Sequence, residues 1–219
     1  TVKRSDDKVG TKTWSFTVGE AQFAAYFGQL HSHTAEYSDG SGTLDEALNY
    51  VEGIPENDNV DFVAFTDHSN YFDSTSAPNP AEALYDMSKM TSASANKWTE
   101  YNSKIDAFNE KSTDRIALAG YEMTWSGGPG HINTFNTPGI VSRNNSTLNN
   151  KTGDAGLQAY YNLLIEAGSK GVASINQLNH PGTTFGNFSD FAYYTPALDN
   201  YVQLVEVGNG EGQIGAGGY

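Results

Sequence analysis

Apolar runs and amphipathic segments alternate along the chain, as is typical of strands and helices packed in layers. Short, nearly continuous apolar runs predict buried strands, because a strand covered on both faces shows no polar side. The predicted strands lie at residues 24–30 (AAYFGQL), 60–66 (VDFVAFT), 115–125 (RIALAGYEMTW), 131–137 (HINTFNT), 171–180 (GVASINQLNH) and 201–210 (YVQLVEVGNG).

Other segments carry helical spacing. Residues 44–52 (LDEALNYVE) follow a capping box, in which the side chains of Thr43 and Glu46 each accept a hydrogen bond from the other residue's backbone, and Gly53 ends this helix. Residues 81–110 predict one long helix or two short ones, with a break around the Ser/Ala run. A further helix is predicted over residues 156–168, closed by Gly168.

The alternation of strands and helices with short connections favours a parallel α/β fold. Polar residues gather where the predicted strands end, which is typical of the active-site face of a barrel. An open, doubly wound sheet is the alternative that the pattern leaves open.

The first 23 residues differ in character from the rest. They are polar and contain the alternating segment WSFTV, which indicates a linker or the remnant strand of a preceding module. Residues 24–219 are expected to form one domain, since barrels of this length are common. A start without Met and a Gly-rich end (GNGEGQIGAGGY) lead us to expect a piece of a larger multidomain chain.

Composition narrows the partners and the chemistry. The 219 residues include 12 Lys and Arg against 26 Asp and Glu, a net charge of −14, which disfavours nucleic acid and membrane surfaces as partners. The chain has no cysteine, so histidine and carboxylate side chains must hold any metal. The lack of cysteine, with abundant small polar residues, favours a secreted or cell-surface protein, and a cytoplasmic one stays open.

Histidine carries the chemical signal. All five histidines lie at or next to an end of a predicted strand: His31, His33, His68, His131 and His180. A lone histidine is most often solvated or satisfied internally, but five at strand ends indicate a metal site. The two imidazoles of the H-x-H pair emerge on one side of an extended chain and can reach one ion. Asp67 and Glu122 add carboxylates, and this donor set suits Zn, Mn or Fe.

Four motifs in order resemble those of the PHP (polymerase and histidinol phosphatase) superfamily. They are FGQLHSHTAEYSDG (27–40), VAFTDH (63–68), GYEMTW followed by GPGHINTF (120–135), and NHPG (179–182). The resemblance covers roughly residues 24–210 and is closest to the bacterial metal-dependent phosphoesterase branch, which also contains carbamate-ester hydrolases. It implies a distorted (β/α)7 TIM-like barrel with up to three metal ions at the carboxyl ends of the strands, and a C-terminal truncation of that barrel is one alternative for this chain.

The resemblance also implies roles for individual residues. His31 and His33 match ligands of one ion, and Glu122 matches the carboxylate that bridges two ions. The other matched ligands are His131 and His180 for the second ion, and Asp39 and His68 for a third. Asp67 is expected to orient an imidazole or to act as an occasional ligand.

One family motif is missing from the chain. The family closes with a D-x-H pair that supplies ligands to the first and third ions, and no such pair follows His180. We expect either a truncated chain or a degenerate site. In both cases the second ion keeps Glu122, His131 and His180.

The expected activity is hydrolysis of a small phosphoester by a metal-bridging hydroxide. The predicted catalytic residues are Asp67, His68 and Glu122, with Asp67 or His68 protonating the leaving group. Arg143 and Glu206 are predicted substrate contacts, and support of a metal ligand is a second interpretation of Glu206. The plainer interpretations are a solvated loop charge for Arg143 and a strand-end surface carboxylate for Glu206. Two alternatives stay open: a carbamate, ester or amide hydrolase with the same metal site, and a non-catalytic, metal-stabilised module of a surface protein.

Overall fold

The computed structural model describes residues 2–3, 9–10, 24–58, 60–73, 79–125, 127–145, 147–148 and 154–209. The predicted remnant strand at residues 14–18 therefore lies outside the described residues. Near the N-terminus, Val2–Lys3 (β1) and Val9–Gly10 (β2) form an antiparallel pair.

Six further strands form one sheet, and each falls within one of the six predicted segments. They are β3 (Gly28–Gln29), β4 (Phe62–Phe65), β5 (Ile116–Thr124), β6 (His131–Phe135), β7 (Ile175–Asn179) and β8 (Val202–Val205). Their order across the sheet follows the chain, from β3 at one edge to β8 at the other. The first predicted strand is much shorter than expected, because β3 is an edge strand that pairs over two residues only.

The prediction of a (β/α)7 TIM-like barrel is wrong. The sheet has six strands, and β6 runs antiparallel to both β5 and β7. Only residues 125–130 connect β5 to β6, whereas a crossover to a parallel neighbour needs about a dozen residues or more. This Gly-rich segment therefore forms a hairpin. The doubly wound alternative is also wrong, because the strand order contains no reversal.

The sheet is curled but open on its inner side. A closed barrel would bury the inward side chains near the start of each strand, yet Ile116, Leu118 and Ile175 are exposed. They line an apolar cavity of about 680 Å³ together with Phe135 and Leu204. The six strands thus form a half-barrel.

In the part of the chain that the structure describes, five helices accompany the sheet: α1 (Leu44–Glu52), α2 (Ser69–Phe72), α3 (Pro80–Tyr85), α4 (Ser92–Asn109) and α5 (Ala155–Ser169). The capping box of Thr43 and Glu46 is confirmed, and Gly53 is the C-cap of α1. Residues 81–110 form two helices, separated by the 3-10 turn Met87–Lys89. None of the helices that the structure describes is both long and apolar enough to cross a membrane.

The prediction that Gly168 closes the last helix is wrong, because α5 continues to Ser169. A Cβ atom at Gly168 would lie 2.1 Å from the Tyr201 hydroxyl oxygen. Glycine at this position therefore serves close packing of α5 on the segment before β8.

The core lies between the outer face of the sheet and the helices. Trp98 and Tyr101 of α4 are buried, and the Trp98 ring lies 6.1 Å from that of Tyr121 on β5. Tyr160 of α5 places its hydroxyl 3.0 Å from that of Tyr121 and 2.6 Å from Thr134 Oγ1 on β6. Each such buried aromatic ring contributes about 1.5–3 kcal/mol by leaving water. This packing holds in place β5 and β6, the strands that carry Glu122 and His131.

Replacement of Gly130 tests the β5–β6 hairpin. Gly130 has a φ of 153°, and an added Cβ atom would lie 2.4 Å from the buried Phe188 ring. We expect Gly130→Ala to lower the free energy of unfolding by about 2–4 kcal/mol, through overpacking and backbone strain. Chemical denaturation measures the effect.

Gly171→Ala is the matched control, because Gly171 has a φ of 90° but nothing within 4 Å of the added atom. Its cost should be limited to backbone strain of about 1–2 kcal/mol. Equal losses in the two variants would argue against the close contact of the hairpin with Phe188.

Candidate metal centre

The histidines and Glu122 converge at the end of the sheet where its parallel strands terminate. His31 and His33 follow β3, His68 follows β4, and His180 follows β7, and these parallel strands all have their carboxyl ends there. His131 begins β6, and because β6 is reversed, its first residue pairs with Thr124 at the end of β5. The wrong direction predicted for β6 therefore leaves the predicted cluster intact.

Glu122 lies at the centre of the cluster and is fully buried. Its two carboxylate oxygens divide the five imidazoles between them. Oε1 lies 3.2 Å from His31 Nε2, 3.3 Å from His131 Nδ1 and 3.6 Å from His180 Nε2. Oε2 lies 2.6 Å from His68 Nδ1 and 3.6 Å from His33 Nε2.

Two groups of side chains have the spacing of metal ligands. His31, Glu122 and His180 form one group, and His33, Asp39 and His68 form the other, with the ligand atoms of each group within 4.8 Å of one another. Asp39 Oδ1 lies 3.1 Å from His33 Nδ1, and Asp39 Oδ2 lies 3.3 Å from His68 Nε2. The structure thus places His33 beside Asp39 and His68, whereas the family resemblance paired it with His31.

These residues fit a divalent metal ion. Among the residues that the structure describes, the buried Nε2 atom of His33 has no hydrogen-bond partner, although it lies 3.6 Å from Glu122 Oε2. Imidazole nitrogens and carboxylate oxygens, without sulfur, are a donor set for Zn, Mn or Fe. The site can therefore hold a divalent ion.

Contacts within the cluster and burial together shift the pKa values of its side chains. Burial would raise the pKa of Glu122, but its hydrogen bonds to the surrounding histidines hold the pKa well below the usual range. Burial would lower the pKa of His31, but its hydrogen bonds to Glu122 and Glu206 raise it to about 9. For His33 and His131 burial prevails and lowers the pKa. In the metal-free protein the centre is therefore a carboxylate beside a protonated His31.

Several polar residues that the sequence analysis missed hold Glu122 in place. Asn179 Nδ2 donates hydrogen bonds to Glu122 Oε1 at 2.7 Å and to Asn133 Oδ1 at 2.8 Å. Thr124 Oγ1 donates to Glu122 Oε2 at 3.1 Å. Strand alternation contains a signal for two of them, because Thr124 and Asn133 each lie two residues after a predicted ligand and face the same side.

Asp67 is buried beneath the cluster and lies outside both metal-ligand groups. Its Oδ1 atom accepts hydrogen bonds from the Thr34 backbone N–H at 2.7 Å and from Thr34 Oγ1 at 3.0 Å. Burial raises its pKa to about 6, against the effect of these bonds. The contacts describe an anchor between the H-x-H segment and β4, and the catalytic role of Asp67 stays a prediction.

The two predicted substrate contacts, Arg143 and Glu206, lie at the margin of the cluster, and Arg143 reaches it beside His68. His68 Nδ1 lies 2.6 Å from Thr124 Oγ1, and the Arg143 guanidinium donates to the Thr124 carbonyl at 3.4 Å. Burial would lower the pKa of His68, but its contacts with Glu122 raise it, and the positive charge of Arg143 opposes that rise. Glu206 lies on the opposite side, against His31.

No protein-family model and no curated protein matches the sequence. One similar solved structure is a "putative metal-dependent phosphoesterase" from Bifidobacterium adolescentis, with 14% sequence identity and a TM-score of 0.41 over 84% of this chain and 78% of that chain. A likeness at this level establishes neither a shared fold nor a shared activity, so the site rests on its own geometry.

Proton release on metal binding tests the charge state of the cluster. Metal-free His31, with its pKa of about 9, is protonated at pH 7.5, and an ion that binds its Nε2 atom must displace a proton. We expect zinc binding at pH 7.5 to release about one proton or more, and the apparent affinity to weaken as the pH falls from 8.5 to 6.5. Calorimetry in buffers of different ionisation enthalpy measures both.

His31→Gln is the control, because it removes the proton that His31 would release. This variant should release fewer protons and show a flatter pH profile than the parent. Zinc binding by the parent with no proton release at pH 7.5 would contradict the assigned charge state.

Proposed function

We propose that this protein is a metal-dependent hydrolase that acts on a small phosphoester. The observation that supports the proposal is the division of five imidazoles between the two oxygens of one buried carboxylate, Glu122. Two or three divalent ions (Zn, Mn or Fe) would be held by His31, His33, Asp39, His68, Glu122, His131 and His180. Bound there, the ions would activate water for attack at phosphorus.

The protein's own groups orient the site. Asn179 and Thr124 hydrogen-bond different oxygens of Glu122 and so fix the plane of its carboxylate. Of the two predicted proton donors, His68 is partly exposed and Asp67 is fully buried. His68 is therefore the better placed to meet a leaving group, where it is not itself bound to an ion.

A polar cavity beside the cluster has room for a small substrate. It has a volume of about 610 Å³ and its lining includes His31, His33, Gln177, Glu206 and Asn209. Ligand sites commonly span about 300–1,000 Å³. The net charge of −14 disfavours long polyanions, while bound cations would attract a single phosphate group locally. A location outside the cell remains part of this proposal, on composition alone.

One observation favours the carbamate or ester alternative. The exposed Phe185 ring lies 5.4 Å from the His131 ring and 4.8 Å from the His180 ring. An aromatic side chain against two ligand imidazoles offers an apolar surface to an uncharged organic group. The same activated water would attack a carbonyl carbon.

Metal-dependent turnover tests the proposal. Chelator-treated protein is reloaded with zinc or manganese and supplied with aryl phosphate monoesters and diesters, and in parallel with aryl carbamates and esters. We expect phosphoester turnover, reduced about 100-fold or more in Glu122→Gln and in His131→Ala, because each removes part of the ion-binding set. Glu100→Gln alters an exposed carboxylate on α4 and is the matched control that should keep parental activity.

The metal content of each variant, measured by elemental mass spectrometry, separates the possible outcomes. Two or more ions per parent chain with phosphoester turnover support the proposal. Turnover of carbamates or esters alone would support the alternative chemistry. Bound metal without turnover of any substrate would indicate a non-catalytic module. A parent protein that binds no metal would contradict the phosphoesterase, the carbamate or ester hydrolase and the metal-stabilised module alike.

A further inference from the structure

We propose that Glu206 is a positioning residue that orients His31 toward the metal centre and joins the two edges of the curled sheet there. The inference rests on the proposed metal-dependent function and goes beyond it, since it assigns a role to a residue outside the ligand set. It also replaces the predicted substrate contact at Glu206.

Glu206 follows β8, and its carboxylate has three protein donors. Both of its oxygens lie 3.2 Å from His31 Nδ1. The backbone N–H of His180 donates to Oε2 at 2.9 Å, and Asn209 Nδ2 donates to Oε1 at 3.0 Å. The residue is itself held in place, because its backbone N–H donates to the carbonyl of Leu178 at 2.9 Å.

These contacts decide which nitrogen of His31 faces an ion. A carboxylate beside Nδ1 requires a hydrogen there, so the contact assigns the proton to Nδ1. The lone pair of a neutral His31 then lies on Nε2, the atom that is 3.2 Å from Glu122 Oε1. A carboxylate that accepts the second N–H of a ligand histidine fixes its tautomer and raises its strength as a ligand.

The same contacts argue against a substrate role for Glu206. Its acceptor atoms are already engaged by three donors, and its side chain is only 13% exposed. A carboxylate would also repel the negative charge of a phosphoester. The residue is better suited to hold the protein's own groups.

The contact also bears on the shape of the sheet. His31 follows one edge strand and Glu206 follows the other, with five strand spacings between them. At about 4.8 Å per spacing, a flat sheet would separate the two residues by about 24 Å. A contact of 3.2 Å therefore requires the curl, and a complete metal centre requires β8 to be docked.

Zinc affinity measured by competition with a fluorescent chelator tests the role. We expect Glu206→Ala to weaken zinc binding about 10–100-fold, the usual effect of losing such a partner. Glu206→Gln keeps one acceptor for His31 but loses the charge, so a smaller loss of about 3–10-fold is expected. Asn209→Ala is the matched control: it removes a donor to Glu206 but leaves the His31 contact, and should change the affinity less than about threefold.

A nitrogen-15 NMR spectrum of zinc-loaded protein distinguishes the proposed hydrogen bond to His31 from a purely structural role of Glu206. The Nδ1–H signal of His31, assigned with His31→Gln, should be protected from solvent exchange in the parent and in Asn209→Ala. In Glu206→Ala it should be shifted or lost by exchange. Circular dichroism confirms that each variant is folded, and Glu206→Gln carries the test where Glu206→Ala does not fold.

Unchanged zinc affinity in the folded Glu206 variants would overturn the inference. So would equal losses in Glu206→Ala and Asn209→Ala, because these would show that Glu206 acts only by docking the segment after β8. A parent that binds zinc and turns over phosphoesters, with Glu206 variants that match it, would overturn this inference alone. A parent that binds no zinc would overturn the proposed function with it.

Discussion

The fully buried carboxylate of Glu122 is the constraint on which the rest of the structure depends. Removing a carboxylate from water costs several kcal/mol unless partners compensate for it. Here the imidazoles hold the pKa of Glu122 low despite its burial, and the side chains of Asn179 and Thr124 donate further hydrogen bonds to it. These partners come from β5 itself, from β6 and β7, and from the segments after β3, β4 and β7, so the charge is satisfied only when these five strands are assembled.

The need to surround one carboxylate accounts for the geometry of the sheet. A flat sheet would bring only the side chains of adjacent strands to Glu122, whereas the curl also brings His31 from the edge strand β3. The reversed strand β6 also brings a histidine to Glu122, because its first residue, His131, lies at the end of the sheet where the parallel strands terminate. A closed barrel is not required for this convergence, and the exposed inner side chains at the far end of the strands show a sheet that stops short of closure.

Much of this arrangement could be predicted from the sequence. Apolar runs gave the six strands, and the positions of the histidines at strand ends gave the cluster. The direction of β6 could not come from such a pattern, because alternation looks the same in both directions; the signal was the short Gly-rich connection at residues 125–130. The division of the imidazoles between two oxygens, with His33 beside Asp39, depends on the curl of the sheet, which no local pattern encodes.

The two ligand groups differ in their access to water, and this difference suggests a division of labour. His31, Glu122 and His180 are wholly or largely buried, while Asp39, in the second group, has a side chain that is 53% exposed. A buried group is rigid because neighbouring side chains fix each ligand, as Asn179 does for Glu122. A group with an exposed carboxylate can change its contacts at lower cost, because water replaces the contacts that it loses. The group of His31, Glu122 and His180 is thus the more fixed part of the candidate centre, and the group around Asp39 is the part with the greater freedom to rearrange.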